Sequence, residues 1–96
     1  MGREDILIIL KMDLQISSTK YDDMLTEYIK LAEDEIKREG ISIDTSKTYG
    51  IQAEDAGLIR MYAAYLYRSR KDGNLTMPRN LRRMLNNRLM SQKGRV

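Results

Sequence analysis

The sequence predicts an all-α fold, a small antiparallel bundle of about four helices with short loops and one longer central loop. Two observations carry this. Tyr21, Leu25, Tyr28, Ile29, Ala32 and Ile36 keep the 3–4 residue spacing of a helix face over about five turns. The single proline, Pro78, stands where it can open a helix rather than break one.

Arg3 to Leu14 reads as a first short helix. Glu4 and Asp5 lie where a helix start favours carboxylates, and Ile6, Ile9, Leu10 and Asp13 follow helical spacing. Ile8 makes the apolar run nearly continuous, so a buried strand is the alternative there. Leu14 to Ser18 reads as a turn, because Ser17, Ser18 and Thr19 favour local side-chain hydrogen bonds over regular structure.

A second helix is expected from Ser18 or Thr19 to Glu39. A hydroxyl cap followed by Asp22 and Asp23 suits its start, and Lys37 and Arg38 suit its end. Gly40 fits the left-handed residue that closes a helix. Ile41 to Ile51 is the longer loop. Ile41 and Ile43 alternate with Ser42 and Asp44, which also permits a short extended stretch.

The third helix is expected from about Gln52 to Lys71. Its face is Leu58, Met61, Tyr62, Tyr65, Leu66 and Ser69, and Ile59, Ala63, Ala64 and Tyr67 extend the apolar surface almost all round. A helix apolar on most sides belongs at the centre. Asp72, Gly73 and Asn74 stop it. Pro78 opens a fourth helix with Thr76 as a nearby cap, and Leu81, Met84, Leu85 and Leu89 form its apolar stripe. Residues 1–96 read as a single domain, with 91–96 as a flexible basic tail.

Composition narrows the chemistry. The 96 residues include no cysteine and no histidine, which excludes disulfides, thiolate zinc sites, cysteine nucleophiles and Ser-His mechanisms. No run approaches the ~20 apolar residues of a membrane span. The apolar run behind Arg3 lacks a cleavage site for secretion, so an intracellular chain is expected. Gly2 is not a myristoylation signal, because Ile6 stands where serine or threonine is needed.

Adjacent carboxylates, Asp22-Asp23 and Glu33-Asp34-Glu35, are candidates for metal binding or acid–base work. Neighbours on a helix point apart and these are interleaved with lysines, so a solvated face is the expectation, with no cofactor, metal or catalytic residue. Tyr62, Tyr65 and Tyr67 are read as core with hydroxyls at its rim rather than as a stacking platform. Met61, Met77, Met84 and Met90 suit gap filling or adaptable contacts.

Charge is the sharper signal. Residues 1–55 hold 13 acidic and 7 basic side chains, a net of −6, whereas residues 56–96 hold 1 and 10, a net of +9. Such a chain can attract copies of itself head to tail or present its basic half to nucleic acid. The candidate basic residues are Arg68, Arg70, Lys71, Arg79, Arg82, Arg83 and Arg88, with Lys93 and Arg95 beyond them; the guanidinium fork suits phosphate oxygens. The candidate acidic face is Asp22, Asp23, Glu27, Glu33, Asp34 and Glu35.

In layout the chain resembles the head-tail connector (adaptor) family of tailed bacteriophages and prophages. The resemblance rests on the order and spacing of Tyr21-Asp22-Asp23-Met24-Leu25 and Ala32-Glu33-Asp34-Glu35-Ile36 on a long acidic helix, Tyr67-Arg68-Ser69-Arg70 at the end of a central apolar helix, and Met77-Pro78-Arg79-Asn80-Leu81 opening a last helix. It covers roughly residues 4 to 90. The arginine-rich final helix and the Ile41–Ile51 loop depart from the family pattern. The resemblance implies a non-enzymatic virion protein that forms a ring, dodecameric like the portal, between portal and tail or stopper protein. It also implies a channel for double-stranded DNA, with assembly in the host cytoplasm and a final place at the head-tail junction. Ring closure needs unlike faces on each subunit, so the acidic face of the second helix (Glu27, Lys30, Asp34, Lys37) is expected to meet basic residues of the third or fourth helix of the next copy. The alternative is a small DNA-binding regulator using the basic C-terminal helix. A helix-turn-helix reader needs a tighter turn than Lys71 to Met77 before its recognition helix.

Overall fold

A computed structural model describes residues 2–43, 51–73 and 76–93, without the side chain of Asp72. Its described residues form four α-helices and no strand: α1 (Arg3–Asp13), α2 (Asp22–Arg38), α3 (Ala53–Asp72) and α4 (Arg79–Lys93).

In α1 the Asp5 carboxylate accepts a hydrogen bond from the Gly2 N–H, answering one of the donors a helix start leaves open. Ile6 and Leu10 face inward from this helix, so the strand alternative for the Ile6–Leu10 run is set aside. Its end is a Schellman closure. Ile16 N–H reaches the Lys11 carbonyl and Gln15 N–H the Met12 carbonyl, with Gln15 left-handed at φ 58°. The expected turn at 14–18 is therefore present, but a glutamine holds the position that usually falls to glycine.

Ser18 accepts from the Lys20 N–H and starts a single 3₁₀ turn, Thr19–Tyr21, which runs into α2. The predicted stripe of α2 is buried at Leu25, Tyr28, Ile29, Ala32 and Ile36. Tyr21 is the exception. The 3₁₀ turn rotates it off that face, and it lies exposed with the Lys20 ammonium over its ring. Gly40 closes α2 at φ 100°, and a Cβ there would press to 3.3 Å of a Leu89 methyl. Beyond it Ile41 and Ile43 turn into the core, joined from the far end of the connector by Ile51. Residues 44–50 lie outside the described residues.

Helix α3 packs against α1, α2 and α4 together, which makes it the central element. Helix α2 runs antiparallel to it. The Tyr28 and Tyr67 rings meet edge to face 6.4 Å apart, and Arg70 donates to the Tyr28 hydroxyl at 3.1 Å. Helix α1 lies antiparallel to α2, tied at one end by Arg3 to Glu33 and at the other by Lys11 to Asp22. Helix α4 returns antiparallel along α3, its start near Ala64 and Tyr65 and Arg88 on Asp55, and buries Leu81 and Leu85.

The reading of 91–96 as a flexible tail is corrected for its first three residues. Helix α4 continues to Lys93, and Gln92 bonds to both backbone groups of Ser42. Residues 94–96 lie outside the described residues.

Candidate functional site

Placing the charged residues in three dimensions separates two kinds. Some are consumed by the fold, and some are left facing out.

Glu33 and Arg88 belong to the first kind and are corrected. Glu33, expected on a solvated acidic face, is 2% exposed. Arg3 clasps it with Nε to Oε2 and Nη2 to Oε1, both at 2.8 Å. Its position follows from spacing, because Glu33 stands four residues after Ile29 and so shares the buried side of α2. Arg88, expected among channel or inter-subunit cations, is 6% exposed and grips Asp55, itself 4% exposed. Glu54 and Gln52 share the same guanidinium. Arg88 stands seven residues after Leu81 and three after Leu85, on the buried stripe of α4. Neither pair announces itself in sequence, since each joins residues 30 or more apart.

Of the remaining acidic candidates, Asp23, Glu27 and Asp34 are exposed on α2, and Asp22 and Glu35 are half-buried. Asp22 Oδ1 has no hydrogen-bond geometry but meets the Lys11 ammonium at 2.7 Å. Glu27 and Glu35 have partners on their own helix, Lys30 at 3.7 Å and Arg38 at 2.8 Å. Such surface pairs are weak, about 0.3–0.5 kcal/mol, and compete poorly with a partner's charges.

Among the basic candidates, Arg68, Arg70, Lys71, Arg79, Arg82 and Arg83 are all exposed. Arg82 binds Glu39 at 2.6 Å and Arg70 binds Tyr28. These hydrogen bonds hold both guanidinium pKa values above their ordinary range. Arg68, Lys71, Arg79 and Arg83 carry no ion pair among the described residues. Arg79, Arg82 and Arg83 line an open groove with Met77, Asn86 and Asn87.

Tyr62 is buried and Tyr65 and Tyr67 are half-buried, with Tyr62 and Tyr65 meeting edge to face at 5.9 Å. Burial pushes the Tyr62 hydroxyl pKa up, and Glu35 and Glu39 add to the effect.

A groove of about 480 Å³ lies between the second half of α3 and the start of α4. Met61, Ala64, Tyr65 and Leu81 line it together with Arg68, Pro78, Asn80 and, from the end of α1, Asp13. Sequence reading missed this feature, because it forms only where α4 folds back on α3. A larger depression, about 620 Å³, lies where α2 ends and α3 begins; Lys37, Asp55 and Arg88 are its charged lining residues, and the last two are bonded to each other.

Among the described residues no three acidic side chains gather to hold a metal ion, and no helix is long and apolar enough to cross a membrane. What fold and surface define is a small all-α protein whose acidic and basic residues are divided between the two parts of its sequence. Comparison with protein-family models, curated proteins and solved structures finds no match.

Proposed function

We propose that this chain is a structural virion assembly protein, a head-tail connector forming a ring between portal and tail and extending the DNA channel. One observation carries the reading. A single subunit presents Asp23, Glu27 and Asp34 on α2, and Arg68, Lys71, Arg79 and Arg83 on α3 and α4, with those four cations unneutralised among the described residues. A closing ring of identical subunits needs two unlike faces on each copy, and this division of exposed charge between helices supports the reading. By its family resemblance the ring would hold twelve copies, with portal and a tail or stopper protein on its two sides.

Native mass spectrometry of the protein alone and mixed with a portal protein tests this. Multimers are expected. Their mass should fall as salt rises to about 1 M, where screening acts beyond only ~3 Å. A monomer under every condition, portal included, refutes the reading.

The arrangement of Arg79, Arg83, Asn86 and Asn87 on one exposed side of α4 favours a second reading, a DNA-binding regulator. Arginine and asparagine are the side chains that read guanine and adenine edges. Gel shift on a short duplex separates the two, since only a regulator binds sequence-specifically as a free subunit.

A further inference from the structure

Helix α4 contains no acidic residue; its 15 residues include four arginines, one lysine and three asparagines. Packing takes Arg88 inward with Leu81 and Leu85. Arg79, Arg82, Arg83, Asn86 and Asn87 are all exposed. They follow one another at steps of three, one, three and one residues, which keeps them on one side of the helix. Among the helices α4 packs chiefly on α3, so this side faces away from the bundle.

The five side chains and Met77 line one open groove, and none of its lining residues is acidic. Arg79 and Arg83 have no ion pair among the described residues, and Arg82 is held by the half-buried Glu39 at 2.6 Å. Three features choose the partner. Planar guanidinium forks and amide N–H donors match phosphate oxygens. No aromatic side chain lies on this side of α4 to stack on unpaired bases, which favours a duplex over a single strand. The apolar members, Met77 and Met90, stand at the two ends of the stripe, whereas a protein interface buries its anchors at the centre.

We propose that the outer side of α4 binds the phosphate backbone of duplex DNA without regard to sequence. Arg79 and Arg83, one helical turn apart, take phosphates, and Asn86 and Asn87 donate amide N–H groups beside them. The choice of DNA over RNA rests on the connector reading, which brings a DNA duplex to the chain. The regulator reading differs, because it takes base edges as the target.

Fluorescence anisotropy of the full chain with short labelled duplexes of two unrelated sequences tests this. Both should bind with similar affinity, and log K should fall linearly with log salt, by about 0.9 for each phosphate contacted. Arg79→Gln and Arg83→Gln should each weaken both complexes and make that slope shallower by about 1. Arg38→Gln removes the same charge from an exposed site on α2 and should leave the slope unchanged. Arg79 and Arg83 are exposed, so helicity by circular dichroism should match the wild type; if one variant loses it, the other carries the test. Absence of binding at low salt overturns the proposal, and so do equal slopes for wild type and both α4 variants. A preference of about tenfold or more for one sequence overturns it in favour of base reading. Polyglutamate that displaces the label as well as unlabelled duplex does overturns it in favour of an acidic protein surface. Tighter binding of duplex RNA overturns the choice of DNA. Native mass spectrometry without DNA reads the ring separately. Multimers that bind no DNA strike this inference alone, and a monomer that binds DNA through Arg79 and Arg83 strikes the ring alone.

Discussion

Arg88 on α4 meets Asp55 on α3 through two parallel bonds, Nε to Oδ1 at 2.9 Å and Nη2 to Oδ2 at 3.2 Å, with both side chains buried. The bidentate geometry satisfies a carboxylate and a guanidinium that neither helix alone can solvate. The pair fixes where α4 lies along α3.

Removing one partner should therefore cost much more than removing both. Arg88→Met leaves the Asp55 charge buried and should lower unfolding free energy by about 3–5 kcal/mol. Arg88→Met combined with Asp55→Leu should recover most of that loss, since an apolar pair of similar volume avoids the desolvation cost. Urea denaturation of the two variants checks the difference. Equal destabilisation by both would show that the pair does not act as a unit.

Tyr62 contributes to the alkaline behaviour. Its folded pKa lies above the ordinary value of 10.0, chiefly because burial disfavours the phenolate. The sign follows from linkage. The stabilisation is fully present below the unfolded pKa and is lost as pH rises through the folded one, because the unfolded chain ionises first. Stability should hold from neutrality to about pH 9 and fall above about pH 10. Tyr62→Phe should flatten that fall while changing little near neutrality. Denaturation curves at several alkaline pH values read this directly, and an unchanged alkaline slope in the variant would count against it.

Gln15 occupies a left-handed conformation, φ 58°, at the close of α1. A side chain there costs about 1–2 kcal/mol, part of which glycine's extra freedom in the unfolded chain takes back. Gln15→Gly should raise the melting temperature by a few degrees, a shift matching a net gain of about 0.5–1 kcal/mol. A lowered melting temperature would mean that the glutamine side chain contributes contacts of its own.

Gly57 presents the opposite case. It lies within α3, and a Cβ built on it meets nothing within 4 Å. Gly57→Ala should stabilise the chain by about 0.8–1 kcal/mol, the helix-propensity difference. Thermal unfolding followed by circular dichroism measures it. A loss of stability would show that the added methyl is not accommodated.

Much of the fold was legible because helical spacing and helix punctuation agree here. The α2 stripe and the end at Gly40 stood in the sequence, and so did the start of α4 behind Pro78. Tyr21 escaped because one 3₁₀ turn changes residues per turn and rotates the side chain away. The charge division was legible as a count, but its sorting was not. Glu33 and Arg88 carry the same letters as their exposed neighbours, and only partners 30 and 33 residues away reveal that the interior takes them. The α3–α4 groove was illegible for a related reason, since its lining comes from α3, the start of α4 and the end of α1, whose meeting no local pattern encodes.

The amide of Gln92 imitates the edge of a β-strand, accepting from the Ser42 N–H at 2.8 Å and donating to the Ser42 carbonyl at 2.9 Å. One side chain in the final turn of α4 thus fastens the stretch where Ile41 and Ile43 enter the core. For anyone engineering the protein, a deletion or fusion junction placed just after Met90 would unlatch a segment fifty residues upstream. A tag belongs beyond Lys93.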